Sequence, residues 1–240
     1  MTTLESYVNE EAATPSSRST LMRTMLTVPV LLSLTVLGVV LLMAILAPWL
    51  SPYEPTAINP ATRLKGISAE HWLGTDAYGR DVFSRVLYGA RVSLLVGAGA
   101  AVLSIVRGLV IGVVAGYFKW VDAIVMRIMD GIMAIPGILL AIALVSLSGS
   151  SILTVLIAIT IPEIPRVVRL VRSVILSVRN EPYVEAAIAL GTPTFTLMRI
   201  HLVPNTLAPL IVQGTYVFAS AILTEAILSF LGAGVPPATS

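Results

Sequence analysis

Between Gly131 and Pro162 the chain runs for 32 residues without a charged side chain, and a second uncharged stretch extends from Thr24 to Tyr53. About 20 apolar residues in a helix cross the hydrocarbon core of a bilayer. Runs of this length therefore place the chain in a membrane before any other feature is considered. Composition agrees. Charged residues make up 12% of the 240 residues, against about 25% in a typical soluble domain. Hydrophobic residues make up 56%, and the mean hydropathy is +0.92. A soluble fold could not cover that much apolar surface. An ordinary soluble enzyme, a disordered chain and a secreted disulfide scaffold are excluded, the last because the sequence has no cysteine. A formal charge of +2 gives no ground for a nucleic-acid partner.

The pattern predicts an all-α membrane protein with five transmembrane helices. Residues 1–26 are polar and read as a cytoplasmic N-terminal tail. The first span is Thr27–Ala47, too long for the apolar stretch of a signal peptide, with Trp49 and Tyr53 at the interface. A polar outer loop follows at 48–91. The second span is Val92–Phe118, whose Gly97, Gly99, Gly108, Gly112 and Gly116 suit close helix contact in lipid. Ser146 to Ser151 mark a turn within the long uncharged run, which splits into spans at 126–147 and 151–169. Pro136 lacks an N–H and should kink the third span. Residues 166–204 hold Arg166, Arg169, Arg172, Arg179 and Arg199 and read as a water-facing loop with helices of its own. Thr206–Leu231 is the fifth span, and the glycines and prolines after it cannot continue a regular helix.

Basic residues orient the chain. With the N-terminus inside, the inner segments hold nine Lys or Arg and the outer segments five, with Arg107 within a span. Cytoplasmic loops carry the excess of such residues, so the N-terminus is expected on the cytoplasmic side.

No constellation for bond chemistry is present. His71 and His201 fall on segments assigned to opposite sides of the membrane. The sequence holds no His-x-x-x-His pair and no Gly-x-Ser-x-Gly elbow. Neither Lys65 nor Lys119 ends a phosphate-cradling glycine loop. No metal site, no bound cofactor and no catalytic residue are expected. Three non-enzymatic readings remain: a channel-forming subunit driven by partners, an ion-coupled secondary transporter, and a non-transporting membrane scaffold. A secondary transporter usually shows an ionisable coupling site at mid-membrane, for which Arg107 is thin support.

The most informative segment is 166–204. Pro182 suits the first turn of a helix. Tyr183, Ala186, Ala187 and Leu190 follow at helical spacing, and Gly191 is a natural C-terminal stop. Thr192 and Pro193 restart a second helix as cap and first residue, which Pro204 should end. Membrane-surface helices carry Lys or Arg opposite large apolar residues. Here Glu181, Glu185 and alanines stand instead, which favours docking against a protein, on the side carrying Ala186, Ala187 and Leu190.

Glu185-Ala186-Ala187, Gly191 and the run His201-Leu202-Val203-Pro204 resemble the EAA loop of ABC-importer permease subunits. So do HWLGTDAYGRDVFSRVLYGARVSL at 71–94, GYF with WVD at 116–122, and EAILSFLGAGVPP at 225–237, which are similar to the dipeptide/oligopeptide/nickel branch. The resemblance covers residues 27–240 and implies one ABC permease transmembrane domain with a cytoplasmic coupling loop at 172–204. Two such permeases would form the pathway in a bacterial inner membrane. Two cytoplasmic ATPases would use ATP and seat on the coupling helix, and an extracytoplasmic solute-binding protein would deliver peptide. Membrane lipid surrounds the assembly. Tyr183, Glu185, Ala186, Ala187, Leu190, Gly191, His201 and Pro204 would form the ATPase-coupling loop, with Arg107 a candidate pathway residue. Members of the branch usually continue past Pro236–Pro237 into a sixth helix, so the chain is expected to be truncated at its C-terminus relative to the family. Dipeptides, oligopeptides, nickel chelates and glutathione are all carried within this branch.

Overall fold

The structure, a computed structural model, describes residues 27–235. The predicted tail at 1–26 lies outside the described residues. The chain divides into two units, residues 1–50 and 51–240. In the first, α1 (Val28–Ile45) begins with a proline in its first turn and carries no charged residue. Ser33 and Thr35 turn their hydroxyls back onto the carbonyls of Pro29 and Leu31, each at 2.8 Å, so neither needs water. The one-turn α2 (Ala47–Leu50) follows.

The second unit opens with an irregular polar segment around a 3-10 turn at Pro60–Thr62. It then enters α3 (Val82–Tyr117), 36 residues long. At about 1.5 Å per residue this helix exceeds the roughly 30 Å hydrocarbon thickness by several turns. The predicted outer loop 48–91 is shorter than expected, because helix begins ten residues before Val92. The reason is the cap: the Asp81 carboxylate accepts from the Ser84 backbone N–H and hydroxyl at 2.8 and 2.7 Å, so Arg85 and Arg91 are already helical.

Phe118 closes α3 and caps α4 (Lys119–Met133). The predicted kink at Pro136 is a full break. α4 and α5 (Gly137–Ser148) lie 85° apart, with Pro136 extended at φ −53° and ψ 125° as the cap of α5. The predicted 126–147 span is thus a bent pair starting at Lys119. Gly149, at φ +80°, separates α5 from α6 (Ile152–Val178). α6 is 27 residues long and retains Pro162 and Pro165 inside it. Residues 166–178, read from sequence as part of a loop, continue this helix.

After α7 (Pro182–Ala189) and the single turn α8 (Thr194–Leu197), a π-helical turn at Met198–Leu202 leads directly into α9 (Val203–Phe230). Pro204 does not end a helix. The Val203 N–H donates to the Met198 carbonyl, five residues back, and the widened turn takes up the proline in the first turn of α9, where its missing N–H costs little. Thr194–Phe230 is therefore one continuous apolar rod. Pro193 serves as the cap and Thr194 as the first helical residue, one position later than the spacing suggests.

Among the described residues, three helices are long and apolar enough to cross a membrane, or four if the bent α4–α5 pair counts as one. All described elements are helical apart from one isolated Thr75–Asp81 bridge. The predicted fourth span, 151–169, lies in α6, whose Glu163, Arg166 and Arg169 keep it out of that group.

The glycine stripe of α3 explains how the unit packs. A β-carbon at Gly108 would fall 2.4 Å from Val167, at Gly112 2.7 Å from Val171, and at Gly116 2.7 Å from Ile175. The matched order shows that α3 and α6 run parallel with their backbones in close approach. α9 runs the other way, with Gly97 against Ile222 and Gly214 against Ile105. One apolar core joins Val113, Val167, Val171, Ile175, Leu210 and Val217. A second, nearer the start of α6, joins Val96, Ala141, Val155, Ile159 and Leu228.

Candidate coupling surface

α7 starts at Pro182, with Glu181 as its extended cap. It stops in a two-bond C-terminal turn, in which the Gly191 N–H donates to the Ile188 carbonyl at 2.9 Å and the Thr192 N–H to Ala187 at 3.1 Å. Gly191 stands at φ +79° with nothing within 4 Å of where a β-carbon would sit. Space does not demand glycine there. The left-handed backbone does, at about 1–2 kcal/mol for another residue.

The helix has two faces. Val184 and Ala187 are buried and belong to the same core as Val171, Ile175, Leu197 and Leu202. Tyr183, Glu185, Ala186 and Leu190 are exposed, Leu190 at 87%. The expectation that Ala187 shares a docking face with Ala186 and Leu190 is therefore corrected: Ala187 points into its own chain. At 100° per residue the two alanines are neighbours in sequence but lie far apart around the axis. Phe195, 75% exposed, continues the uncovered side beyond Gly191.

Tyr183 and His201 come together, with ring centroids 6.0 Å apart. Asn205 ties them: its side-chain amide donates to the Tyr183 hydroxyl at 3.2 Å and to the His201 carbonyl at 2.6 Å. The start of α7 is thus fastened to the π turn that begins the last long helix. Asn205, Val184, Leu197 and Leu202 escaped the sequence reading. The Val184–Ala187 spacing of three was the available signal, overshadowed by the adjacent pair of alanines. Pro204 is exposed at the base of α9.

The arginines at 166–179 make contacts to neighbouring groups, although Arg166 and Arg169 remain exposed. Arg172 makes a two-bond contact with Asp122 of α4, one bond at 2.6 Å. Arg169 reaches Asp130 at 2.6 Å. Arg179 donates to the Gly116 carbonyl of α3 at 3.4 Å. Arg166 pairs with Glu163 at 2.7 Å and lies over the Tyr216 ring of α9. Glu163 is buried and also accepts from the Ser220 hydroxyl at 3.3 Å. Its second oxygen and the Ser104 hydroxyl are buried without partners among the described residues. Arg107 is exposed on α3 and makes no hydrogen bond or ion pair among the described residues. It is not brought near the α7 surface by any observed contact.

At the opposite end of the unit, the segment before α3 is stitched by polar groups. His71 Nδ1 lies 2.9 Å from the Asp81 carboxylate, both residues being buried. Burial works to raise the Asp81 pKa, but hydrogen bonds from the Ser84 backbone, His71 and the Ser84 hydroxyl outweigh it and hold the carboxyl below its usual range. Asp76 behaves alike: burial opposes its charge, yet the Arg80 and Tyr78 backbone N–H groups and the Arg80 side chain lower its pKa. Arg80 and Arg85 each pair with it at 2.8 Å. Among the described residues no group of three or more His, Cys, Asp or Glu could hold a metal ion.

The sequence profile described as "Binding-protein-dependent transport system inner membrane component" matches residues 108–240, which include α6, the α7 turn and α9. The chain belongs to this family. It is a permease component of an ABC transport system, a multi-pass inner-membrane protein with no catalytic role of its own. A second profile, the N-terminal transmembrane domain of oligopeptide transport permease C, matches residues 29–66. The permease is 53% identical over 207 residues to a probable peptide ABC transporter permease protein of Sinorhizobium fredii, covering 86% of this chain and 71% of that protein. It is 47% identical to a dipeptide transport system permease of Alkalihalophilus pseudofirmus, covering 81% and 64%. It is 40% identical to a glutathione transport system permease of Pectobacterium atrosepticum, covering 84% and 68%.

Proposed function

We propose that this permease carries peptides inward as one of two homologous membrane subunits. Two cytoplasmic ATPases would drive it, and an extracytoplasmic solute-binding protein would supply it. Similarity to a dipeptide and a glutathione transport system permease supports the substrate class. The parallel course of α3 and α6 supports five crossings. Two consecutive long helices can run parallel only if the segment between them returns, so α4–α5 makes one traverse and α6 another. The ion pairs of α6 with α4 lower the cost of its charges in that position. With the N-terminus cytoplasmic, residues 51–81 lie outside and 172–204 inside, Tyr183 to Pro204 included.

The observation that carries the coupling reading is the two-faced α7. Its inner face is packed with the long helices, and its outer face, Glu185, Ala186, Leu190 and the Gly191 turn, is uncovered. A groove on an ATPase that seats this face would move α7, and through Tyr183, His201 and Asn205 would pull on the base of α9. Two substitutions test it. Ala186→Trp adds bulk to the uncovered face, and Gly191→Val redirects the exit from the turn. Both are expected to insert normally while losing ATPase co-purification and binding-protein-stimulated hydrolysis in proteoliposomes. Full retention and full stimulation in both variants would remove α7 as the coupling element.

A further inference from the structure

A cavity of about 410 Å³ opens between the start of α3 and the end of α9, lined by Arg85, Val92, Ser93, Glu225, Ser229 and Val235, among others. Its volume lies within the roughly 300–1,000 Å³ typical of small-ligand sites. Glu225 is only 7% exposed. Its Oε2 accepts from the Ser93 hydroxyl at 3.2 Å. Its other oxygen takes no hydrogen bond among the described residues and, unlike the second oxygen of Glu163, keeps some accessible surface. Among the described residues no cation pairs with this carboxylate. Arg85 lines the same cavity, but its Nη1 is held 2.8 Å from Asp76. A buried carboxylate without a counter-charge is costly unless something supplies a donor. The turn after α9 keeps this geometry open. Gly232, at φ +79°, ends the helix with its N–H donating to the Ser229 carbonyl at 3.1 Å, and the chain folds back so that Val235 forms a wall.

We propose that this cavity is a substrate subsite in which Glu225 receives the α-ammonium group of an incoming peptide. The inference rests on the peptide reading above, which places this end of the molecule on the outer side, where substrate is handed over. A primary ammonium brings three donors to an oxygen that now has none. Ser93 holds one carboxylate oxygen and leaves the other for the incoming ammonium. The other source of such a cation would be a Lys or Arg of a neighbouring subunit, and the experiment separates the two.

The test uses the whole transporter, both permeases with ATPases and binding protein, in proteoliposomes. Alanine peptides of two to five residues serve as probes. Glu225→Gln keeps the shape and the Ser93 contact but removes the charge. It is expected to lower uptake by roughly tenfold or more, the worth of a charged hydrogen bond. Subunit co-purification and ATP hydrolysis stimulated by the loaded binding protein should remain. Glu225→Asp should recover part of the uptake. Uptake within about twofold of wild type in Glu225→Gln would overturn the subsite. Loss of the second permease from purified Glu225→Gln would also overturn it, because the carboxylate would then be holding a neighbouring chain. A wild-type complex that carries none of these peptides would instead overturn the peptide reading, and this site with it.

Discussion

Two stretches of the second unit that lie outside its long helices are held in opposite ways. Residues 51–81 are stitched by side chains: His71 to Asp81, Arg80 and Arg85 to Asp76, and Thr75 to the Thr62 carbonyl. This segment fixes itself and then caps α3. Residues 179–202 have few such bonds and are plugged into the helices by Val184, Ala187, Leu197 and Leu202, all buried. The first is a rigid platform built from charge and hydrogen bonds. The second is held by apolar packing and, on the coupling proposal, would act as a lever between the long helices and an outside partner. A polar platform can hold its shape in water on its own. An apolar plug transmits displacement because a packed core resists deformation and moves as a body.

The contrast can be broken at the plug first. Leu197→Ala and Leu202→Ala each remove a fully buried side chain and should cost about 2–5 kcal/mol. Thermal unfolding of the detergent-solubilised protein would register this, with ATPase retention lost in parallel. If both leave α7 docked and the transition unchanged, the lever is not held by packing.

Next comes the platform. Asp81→Ala removes the α3 cap and leaves His71 without its partner, for a loss of about 2–4 kcal/mol. Asp81→Asn, which keeps an acceptor for Ser84, should lose less. The pH dependence has a definite sign. Asp76 and Asp81 have folded pKa values below their ordinary ones. Their contribution is therefore present above the unfolded value near pH 4 and is lost as pH falls through the lowered folded values. Acid loosening of residues 51–81, followed by hydrogen exchange, should begin below about pH 4. It should be blunted in an Asp76→Asn, Asp81→Asn double variant. Loosening that begins near neutrality would point to another group.

Sidedness sharpens the comparison without altering stability. In this cysteine-free chain, Ser68→Cys should react with an impermeant thiol reagent in sealed right-side-out vesicles. Ser177→Cys should react only after the membrane is opened. The reverse pattern would invert the assignment of platform and lever. The smallest expected stability change is at the exposed face: Ala186→Trp should shift unfolding by no more than about 0.5 kcal/mol. Ala187→Trp, one residue on, should cost about 1–3 kcal/mol by overpacking. Equal costs at the two alanines would contradict the two-faced helix.

The apolar runs alone determined that this chain is helical and belongs in a membrane, because the bilayer leaves no alternative for uncharged stretches of such length. Local backbone chemistry likewise fixed the stop at Gly191, the break near Pro136 and the end of the last helix at Gly232. The glycines of α3 were legible as a contact stripe, though not their partner. Tertiary structure decided the rest. The partners of Arg169 and Arg172 were not legible, because sequence cannot show that Asp130 and Asp122, some 40 to 50 positions away, lie across a helix contact. Pro204 read as a terminator because a π turn that absorbs it has no local signature. Ala186 and Ala187 read as one docking face because adjacency in sequence hides a 100° rotation, and only the packed core shows which of the two is already taken. The hydrogen bond between Glu225 and Ser93, over 130 residues apart, was equally invisible in the sequence. Apart from the local π turn at Pro204, the deciding partner lies far along the chain, and only the packing of the helices brings it within reach.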